Sequence, residues 1–382
     1  MKVVITPLQI GNIMDLDHHN FELTELMERI RTSDHRLIAL QLPEGLKMQA
    51  LEMMDQIETE TSAKVILAAD PCYGACDLVH DKMKNMGVEM VAHMGHSQMN
   101  IESGMPTLFI NVTYDGDPES TPVIPFLENH LAMAKKRLLD QENPVELSTE
   151  DAQEKFLDAV GRLSPLTGTK LGLVGAIQHL HLLPEFQVRL EKAGYDVIIP
   201  LGGARLSFPG QVLGCNYSGD QDDIGHYLFL GSGDFHPIGL VLHTGKPLAM
   251  LDPYSGEAKE MSLLSVERIL RQRFGLIMAC DNAQSFGILI GEKPGQMRRT
   301  LALRMKRMLE KHGKKGYLMA LEHVSPELID FYPVDAFVNT ACPRIAIDDA
   351  VRYKKPLLTP FELEVVLGEK QWELGYQFDE IP

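Results

Sequence analysis

An α/β fold of three similar parallel-sheet units is predicted for this chain of 382 residues. Three observations predict it. Short apolar runs of strand length alternate with segments whose apolar residues recur at helical spacing. The order strand, helix, strand starts again twice along the chain, and such alternation forms parallel sheets. Each third also carries a cysteine in a loop after a strand: Cys76, Cys215 and Cys342. Residue identity between the thirds is slight, so the repeat is one of pattern. The units are placed at 1–120, 121–261 and 262–382, around a central site.

In the first unit Leu23, Leu26, Met27 and Ile30 fall at i, i+3, i+4, i+7 and predict an amphipathic helix. Leu37 to Leu42 is a strand. Pro43-Glu44-Gly45 then turns the chain into a helix with Leu46, Ala50, Met53, Met54 and Ile57 on one face. The strand Lys64 to Ala69 runs into Asp70-Pro71-Cys72-Tyr73-Gly74-Ala75-Cys76, and Val88 to Ala92 and Thr107 to Val112 are further strands. The polar stretch Asp115 to Thr121 ends the unit, and the charged segment 134–155 reads as solvated linking helices. In the second unit Lys170 to Gly175 is a strand. Pro184 opens a helix with Phe186, Leu190 and Ala193 on one face, and Gly194 stops it. Tyr195 to Pro200 is a strand, and a loop rich in Gly and Ser leads to Gly214-Cys215-Asn216-Tyr217. His226 to Gly231 and Ile238 to His243 complete the unit as strands, with a boundary near Gly256 to Ser262. In the third unit Phe286 to Ile290 is a strand. A helix runs from Pro294 through Met297, Leu301, Met305 and Met308 to Gly313. Gly316 to Leu321, Asp335 to Asn339 and Pro356 to Thr359 are strands, the second running into Thr340-Ala341-Cys342-Pro343-Arg344.

Composition excludes several classes. The chain holds 36 Lys+Arg and 53 Asp+Glu, a net charge of −17, with 45% hydrophobic residues and five cysteines. Collagen-like and disordered chains need more Gly and Pro or fewer apolar residues. A disulfide scaffold packs more cysteines into a shorter chain. No apolar run reaches the roughly 18 residues of a membrane span, and the N-terminal apolar stretch is too short for a signal peptide. A cytoplasmic protein with reduced cysteines is expected. A chain this acidic is a poor general nucleic-acid binder; the charge is compatible with a basic protein surface or a zwitterionic small molecule, and equally with solubility alone.

Ligands of parallel α/β folds gather at the C-terminal ends of strands, where the three cysteine loops lie. Soft thiolates select iron–sulfur clusters, Cu(I) or zinc. Three cysteines on a four-iron cluster leave one iron open to substrate, whereas a structural zinc site takes four protein ligands in closely spaced pairs. Cys280 ends the apolar run from Gly275 to Ala279 and reads as core. Cys72 forms a C-x3-C pair with Cys76 that can itself bind metal, and its part stays open.

Four motifs at these loops resemble the diphthamide synthesis family: Leu40-Gln41-Leu42-Pro43-Glu44-Gly45-Leu46, Tyr73-Gly74-Ala75-Cys76-Asp77, Gln211-Val212-Leu213-Gly214-Cys215-Asn216 and Asn339-Thr340-Ala341-Cys342-Pro343-Arg344-Ile345-Ala346. They occur in the family's order, and the match runs from about residue 20 to the end. The resemblance implies three α/β units, each giving one cysteine to a 4Fe–4S cluster, in a homodimer in the archaeal form. It implies cluster ligands Cys76, Cys215 and Cys342, with Cys76 rather than Cys72 selected because it follows Tyr-Gly-Ala. The implied reaction binds S-adenosylmethionine at the unique iron. The bond from sulfur to the γ-carbon of its methionine moiety breaks, giving methylthioadenosine and a 3-amino-3-carboxypropyl radical. That radical adds to the imidazole C2 of a histidine on translation elongation factor 2. The C-x3-C-x2-C triplet of common radical S-adenosylmethionine enzymes is missing, since residue 79 is Val. No G-x-G-x-x-G stands between strand and helix, so electrons come from an external donor.

Other polar groups at strand ends are candidates to hold the S-adenosylmethionine. Ser232, Asp234 and His236 follow one strand and Asp252 another. Glu44 and Gly45 stand at a helix start, suited to an ammonium or a carboxylate. Arg344, two residues after Cys342, can pair the methionine carboxylate or tune the centre's charge. The pairs His93/His96 and His179/His181 read as loop or core residues, because no carboxylate is placed beside them. The 20 methionines fit helix faces as core filler. Two other readings remain: a dehydratase similar to quinolinate synthase, which also sets a three-cysteine cluster between three similar domains, and a non-catalytic iron–sulfur redox sensor.

Overall fold

The computed structural model describes residues 19–21, 23–99, 101, 104–114, 170–253 and 255–382. The Asp115 to Thr121 boundary and the charged segment 134–155 lie outside them. The strands in chain order are β1 (His19–Phe21), β2 (Leu37–Gln41), β3 (Lys64–Ala68), β4 (Met90–Met94), β5 (Thr107–Ile110), β6 (Val112–Tyr114), β7 (Lys170–Gly175), β8 (Val197–Ile198), β9 (Ile224–Leu230), β10 (Leu248–Leu251), β11 (Ala258–Met261), β12 (Ser285–Gly291), β13 (Lys315–Leu321), β14 (Ala336–Asn339) and β15 (Leu357–Leu358).

They form three sheets, ordered β3-β2-β4-β5, β8-β7-β9-β10-β11 and β13-β12-β14-β15, besides the small antiparallel ribbon β1-β6. Every pairing in the three sheets is parallel except β10 with β11. Each sheet places its first strand between its second and third. That arrangement creates a switch point, a crevice outside the carboxyl ends of those strands where ligands bind. The central strands are buried almost end to end, β4 throughout, as parallel sheets covered on both faces require. The triplication is thus one of strand order. The cysteine loops are less equivalent than the sequence suggests: Cys76 and Cys215 follow the second strand of their sheets, and Cys342 follows the third.

Several elements differ from expectation. Ile238 to His243 is no strand; it lies inside the helix Phe235–Thr244. An uninterrupted apolar run fits a buried strand or a buried helix equally. The readable cues were at its flanks: Asp234 before it, Pro237 in its first turn, and Gly245 ending it with φ 69°. Tyr195 to Pro200 narrows to β8, and Thr107 to Val112 breaks at Asn111 into β5 and β6. The helices placed at Leu46 and Pro294 each begin with a 3-10 segment, Glu44–Gln49 and Pro294–Gln296, before Ala50–Glu60 and Arg299–Lys311. The helix Leu263–Ala279, absent from the expected list, opens with the Ser262 N–H donating to Ser265 Oγ at 3.2 Å. Its Val266, Leu270, Phe274 and Ile277 enter the core built on β7, β9 and β10, together with Ile347, Phe361 and Trp372 from beyond β14. The second sheet therefore shares its core with helices of the third unit. Cys280 is fully buried among Phe286, Ile288, Met305 and Leu309, as its apolar run suggests.

Burial has a pH consequence at His226 on β9. Its Nε2 is buried without a hydrogen-bond partner, and desolvation lowers its pKa to about 4. An unfolded His titrates near 6.5. Below that value the unfolded chain takes up a proton that the folded chain refuses, so stability falls as pH drops from about 6.5 toward 4. The expected result is a melting temperature that declines over this window less steeply in His226→Gln than in the parent chain. An equal slope in both would show that His226 contributes nothing to the decline.

Candidate metal centre and substrate cleft

The three cysteines come from different sheets to one place. The thiols of Cys76, Cys215 and Cys342 lie close enough that Cys342 raises the pKa of Cys76, Cys76 that of Cys215, and Cys215 that of Cys342. Local structure sets each of them.

Cys76 sits in the loop after β3. The Asp77 N–H donates to Gly74 O at 3.0 Å and the Tyr73 N–H to Asp77 Oδ2 at 2.6 Å, closing the turn. The other Asp77 oxygen pairs with Lys293 at 2.6 Å, an ion pair from the third unit with the carboxylate side almost wholly buried. Gln296 Nε2, in the same 3-10 turn, donates to Cys76 Sγ at 3.3 Å. Gly295 permits this approach: a Cβ there would stand 2.5 Å from Cys76 Cβ and 2.7 Å from its Cα.

Cys215 is held by the C-terminal segment. The Ile381 N–H donates to Cys215 O at 2.9 Å, and Asn216 Nδ2 to Ile381 O at 2.9 Å. The buried Arg205 lies beside the Cys215 thiol, where its charge favours the thiolate, and donates to Gly295 O at 2.6 Å. One guanidinium thus ties the second cysteine to the turn that covers the first.

Cys342 stands just before the short helix Pro343–Asp348. Asn339 folds back, its Nδ2 donating to Cys342 O at 2.7 Å and its Oδ1 accepting from Ala341 N at 3.0 Å. Arg298 reaches Thr340 O at 2.9 Å and Ala341 O at 2.8 Å, and its guanidinium is forked onto Asp379 at 2.8 and 2.6 Å. Arg344 lies close enough for its charge to favour the Cys342 thiolate.

Burial pushes the Cys76 and Cys342 thiols up to about 12 and that of Cys215 to about 11. Without added positive charge all three stay protonated at neutral pH. A soft metal supplies that charge, because thiolate ligation and deprotonation are coupled. Iron–sulfur clusters are held by such thiolates, and hydrogen bonds to the sulfurs tune their potential. Gln296 provides one such bond, and the positive charges of Arg205 and Arg344 lie close enough to favour the thiolates of Cys215 and Cys342. The donor set therefore fits a cluster with three protein ligands.

The other expected site residues divide. His236 and Arg344 come together beside the Cys215 loop. Arg344 is buried, forks onto Asp348 at 2.9 and 2.8 Å, and stacks its guanidinium 4.3 Å from the Phe235 ring centroid. Its Nη1 has no hydrogen-bond partner. His236 stacks on Phe229 and meets Phe235 edge-on. Burial first, then Arg344 and His96 nearby, lower its pKa to about 4, so it is neutral. Gly239 lets Tyr217 pass: a Cβ there would stand 1.8 Å from the Tyr217 hydroxyl. Ser232 and Asp234 are exposed ahead of this helix, and Asp234 pairs with Lys259. Asp252 lies in a turn after β10, its carbonyl accepting from Gly256 N at 2.9 Å. Glu44 pairs with Lys47 at 2.6 Å and accepts the Cys72 N–H at 3.4 Å, with Gly45 exposed beside it. His179 and His181 sit in the 3-10 segment Ile177–Leu182, His179 buried. Arg205, Gln296, Arg298 and Lys293 escaped sequence reasoning. The one available signal was that Lys293-Pro294-Gly295-Gln296 follows a strand of the third unit, as the cysteine loops do.

Three α/β sheets that each deliver one thiol to a shared buried point form a donor set of the kind that holds a metal cluster in three-thiolate proteins. Comparison with known proteins makes this specific. The family described as putative diphthamide synthesis protein matches residues 42–143 and 142–377. The 2-(3-amino-3-carboxypropyl)histidine synthase of Pyrococcus horikoshii is 32% identical over 95% of this chain and 94% of its own. Subunit 1 of the human enzyme of that name is 28% identical over 95% of this chain and 75% of its own. The crystal structure of Dph2 from Pyrococcus horikoshii with a 4Fe-4S cluster matches with a TM-score of 0.77 at 31% identity, covering 95% of this chain and 94% of that one. The chain belongs to the diphthamide synthesis family.

Proposed function

We propose that this chain catalyses the first step of diphthamide biosynthesis, as a transferase acting on S-adenosylmethionine and a histidine of translation elongation factor 2. The convergence of the Cys76, Cys215 and Cys342 thiols carries this reading, supported by the synthase relatives and by the cluster in the solved relative. When bound, a 4Fe–4S cluster supplies one-electron reducing power and one iron without a protein ligand. The bond broken joins the sulfonium sulfur to the γ-carbon of the methionine moiety, and the bond made joins that carbon to imidazole C2. One electron enters from an external donor. After addition, one electron and the C2 proton leave, so methylthioadenosine and the modified histidine balance the reactants.

The chain's own residues bind, orient and exclude water. Arg344 Nη1, left unpaired by Asp348, is assigned to the methionine carboxylate. Neutral His236 and the exposed Ser232 and Asp234 line the same end of the second sheet, Asp234 as an acceptor for the ammonium. Asp252, Glu44 and Gly45 are assigned to the same substrate as further contacts. The assembly is read as a homodimer acting in the cytoplasm. No helix among the described residues is long and apolar enough to cross a membrane.

The test is anaerobic. Protein reconstituted with iron and sulfide is reduced and given S-adenosylmethionine and elongation factor 2. Methylthioadenosine, with one aminocarboxypropyl group added to the factor, is expected. Turnover that releases 5′-deoxyadenosine, or none, overturns the reading. Changing Cys76, Cys215 or Cys342 to Ala is expected to abolish both transfer and the thiolate-to-iron absorption, whereas Cys280→Ala keeps both. Equal loss from all four would point to misfolding instead.

A further inference from the structure

Cys72 lies outside the three-thiol set, yet it is not alone. Its sulfur and ring nitrogens of His93 and His96 all lie within 4.8 Å of one another. The three residues come from neighbouring strand ends of the first sheet: Cys72 follows β3, His93 lies in β4 and His96 just after it. Gln41 ends β2, the strand between them, in register with Ala68 and His93.

Gln41 fixes the imidazole chemistry. Its Nε2 donates to Asp77 O at 2.7 Å, which turns its Oε1 toward His93 Nδ1 at 3.0 Å. His93 Nδ1 therefore carries the proton, and His93 Nε2 presents a lone pair. That atom faces His96 Nδ1 at 3.0 Å. A metal-binding histidine is commonly held this way, its distal N–H given to an oxygen acceptor. Asp77, the nearest carboxylate, is already engaged by Lys293 and the Tyr73 N–H.

We propose that Cys72, His93 and His96 form a mononuclear Zn2+ site beside the three-thiol centre, with one thiolate, two imidazoles and a fourth position taken by a water molecule. One sulfur with two imidazole nitrogens suits this borderline-soft ion, and three protein ligands are the pattern of open zinc sites. On binding, the Cys72 thiol proton leaves to solvent and His96 shifts its proton from Nδ1 to Nε2. Zinc held here also removes Cys72 from competition with Cys76 for iron. The site is independent of the transfer reaction proposed above, and its test does not use that activity.

Cluster-loaded full-length protein is exchanged with Zn2+, freed of loosely bound metal, and assayed for zinc and iron by elemental analysis. One zinc per chain is expected beyond the cluster iron. X-ray absorption at the zinc edge, which does not see iron, is expected to give one sulfur near 2.3 Å and two imidazole nitrogens at about 2.0–2.1 Å. Cys72→Ser and His96→Asn should each lose the zinc while keeping the iron and the melting transition. Gln41→Leu should weaken zinc binding roughly 10- to 100-fold through loss of the His93 N–H acceptor. Absence of stoichiometric zinc overturns the proposal. So does zinc that persists in both ligand variants, or a zinc shell of three sulfurs, which would place the metal in the three-thiol centre. A ligand variant that unfolds is replaced by the other, and zinc retention in the folded one is equally fatal.

Discussion

Gly295→Val is expected to strip the metal centre from an otherwise folded protein. Even the Cβ of alanine at this position would sit 2.5 Å from Cys76 Cβ, 2.7 Å from Cys76 Cα and 2.8 Å from Ile101 Cδ1. Two of these are not flexible ends that swing aside. The turn Pro294–Gln296 must therefore move, and three contacts move with it: Gln296 to the Cys76 sulfur, Arg205 to Gly295 O, and Lys293 to Asp77. All three stand at the thiols and none lies in the cores of the sheets. A misplacement of about 1 Å in a positioned group costs on the order of a hundredfold in rate, and a cluster with one thiol displaced is lost more readily still. Cluster absorbance and transfer should fall together by at least that factor, with the helical circular dichroism and melting temperature nearly unchanged. A variant that retains full iron content and activity would show that the turn does not position Cys76. Gly295→Ala is the graded control, expected to fall between the two.

This turn marks where the sequence stopped being readable. The loop cysteines were found because they recur at strand ends, which is a local property of each third. The strands themselves were legible from their apolar runs, and their parallel pairing followed from the alternation with helices. Gln296 and Arg205 act across units, and Arg298 acts across the length of its own unit, from positions that no spacing rule connects to Cys76, Cys215 or Cys342. His93 and His96 read as loop or core residues because the sequence places no carboxylate beside them. The group that completes them is the Cys72 thiol, brought over by the pairing of β3 and β4 with β2. Ile238 to His243 misleads for a different reason: this stretch of the helix is apolar nearly all round, so periodicity is silent and only Asp234 and Gly245 mark its ends. The approach of the three units to one another is decided by packing that no single segment encodes.

Arg273→Met is expected to cost roughly 3–5 kcal/mol of stability, the usual penalty for leaving one partner of a buried ion pair alone. Arg273 and Glu362 are both fully inaccessible. Arg273 Nε donates to Glu362 Oε1 at 2.7 Å, its Nη2 reaches Glu362 Oε2 and also Leu357 O at 2.7 Å, and its Nη1 reaches Ala346 O. Glu362 Oε2 additionally accepts the Thr359 N–H at 2.7 Å, within the capping box of the helix Pro360–Val366. One side chain from the helix Leu263–Ala279 thus joins β15, the last helix and the short helix that follows Cys342. Removing the arginine leaves a carboxylate in an apolar core that includes Phe274 and Phe361, and frees two carbonyls from their donor. The double variant Arg273→Met/Glu362→Leu should recover much of the loss, because apolar replacement of a whole buried pair is often neutral or stabilising. Iron content separates the two roles of the pair. If it serves only stability, the double variant binds the cluster as the parent does. If it also aims the helix Pro343–Asp348, the double variant regains its denaturation midpoint while Cys342 still holds iron poorly. A single Arg273→Met variant as stable as the parent in urea would show that the pair does neither.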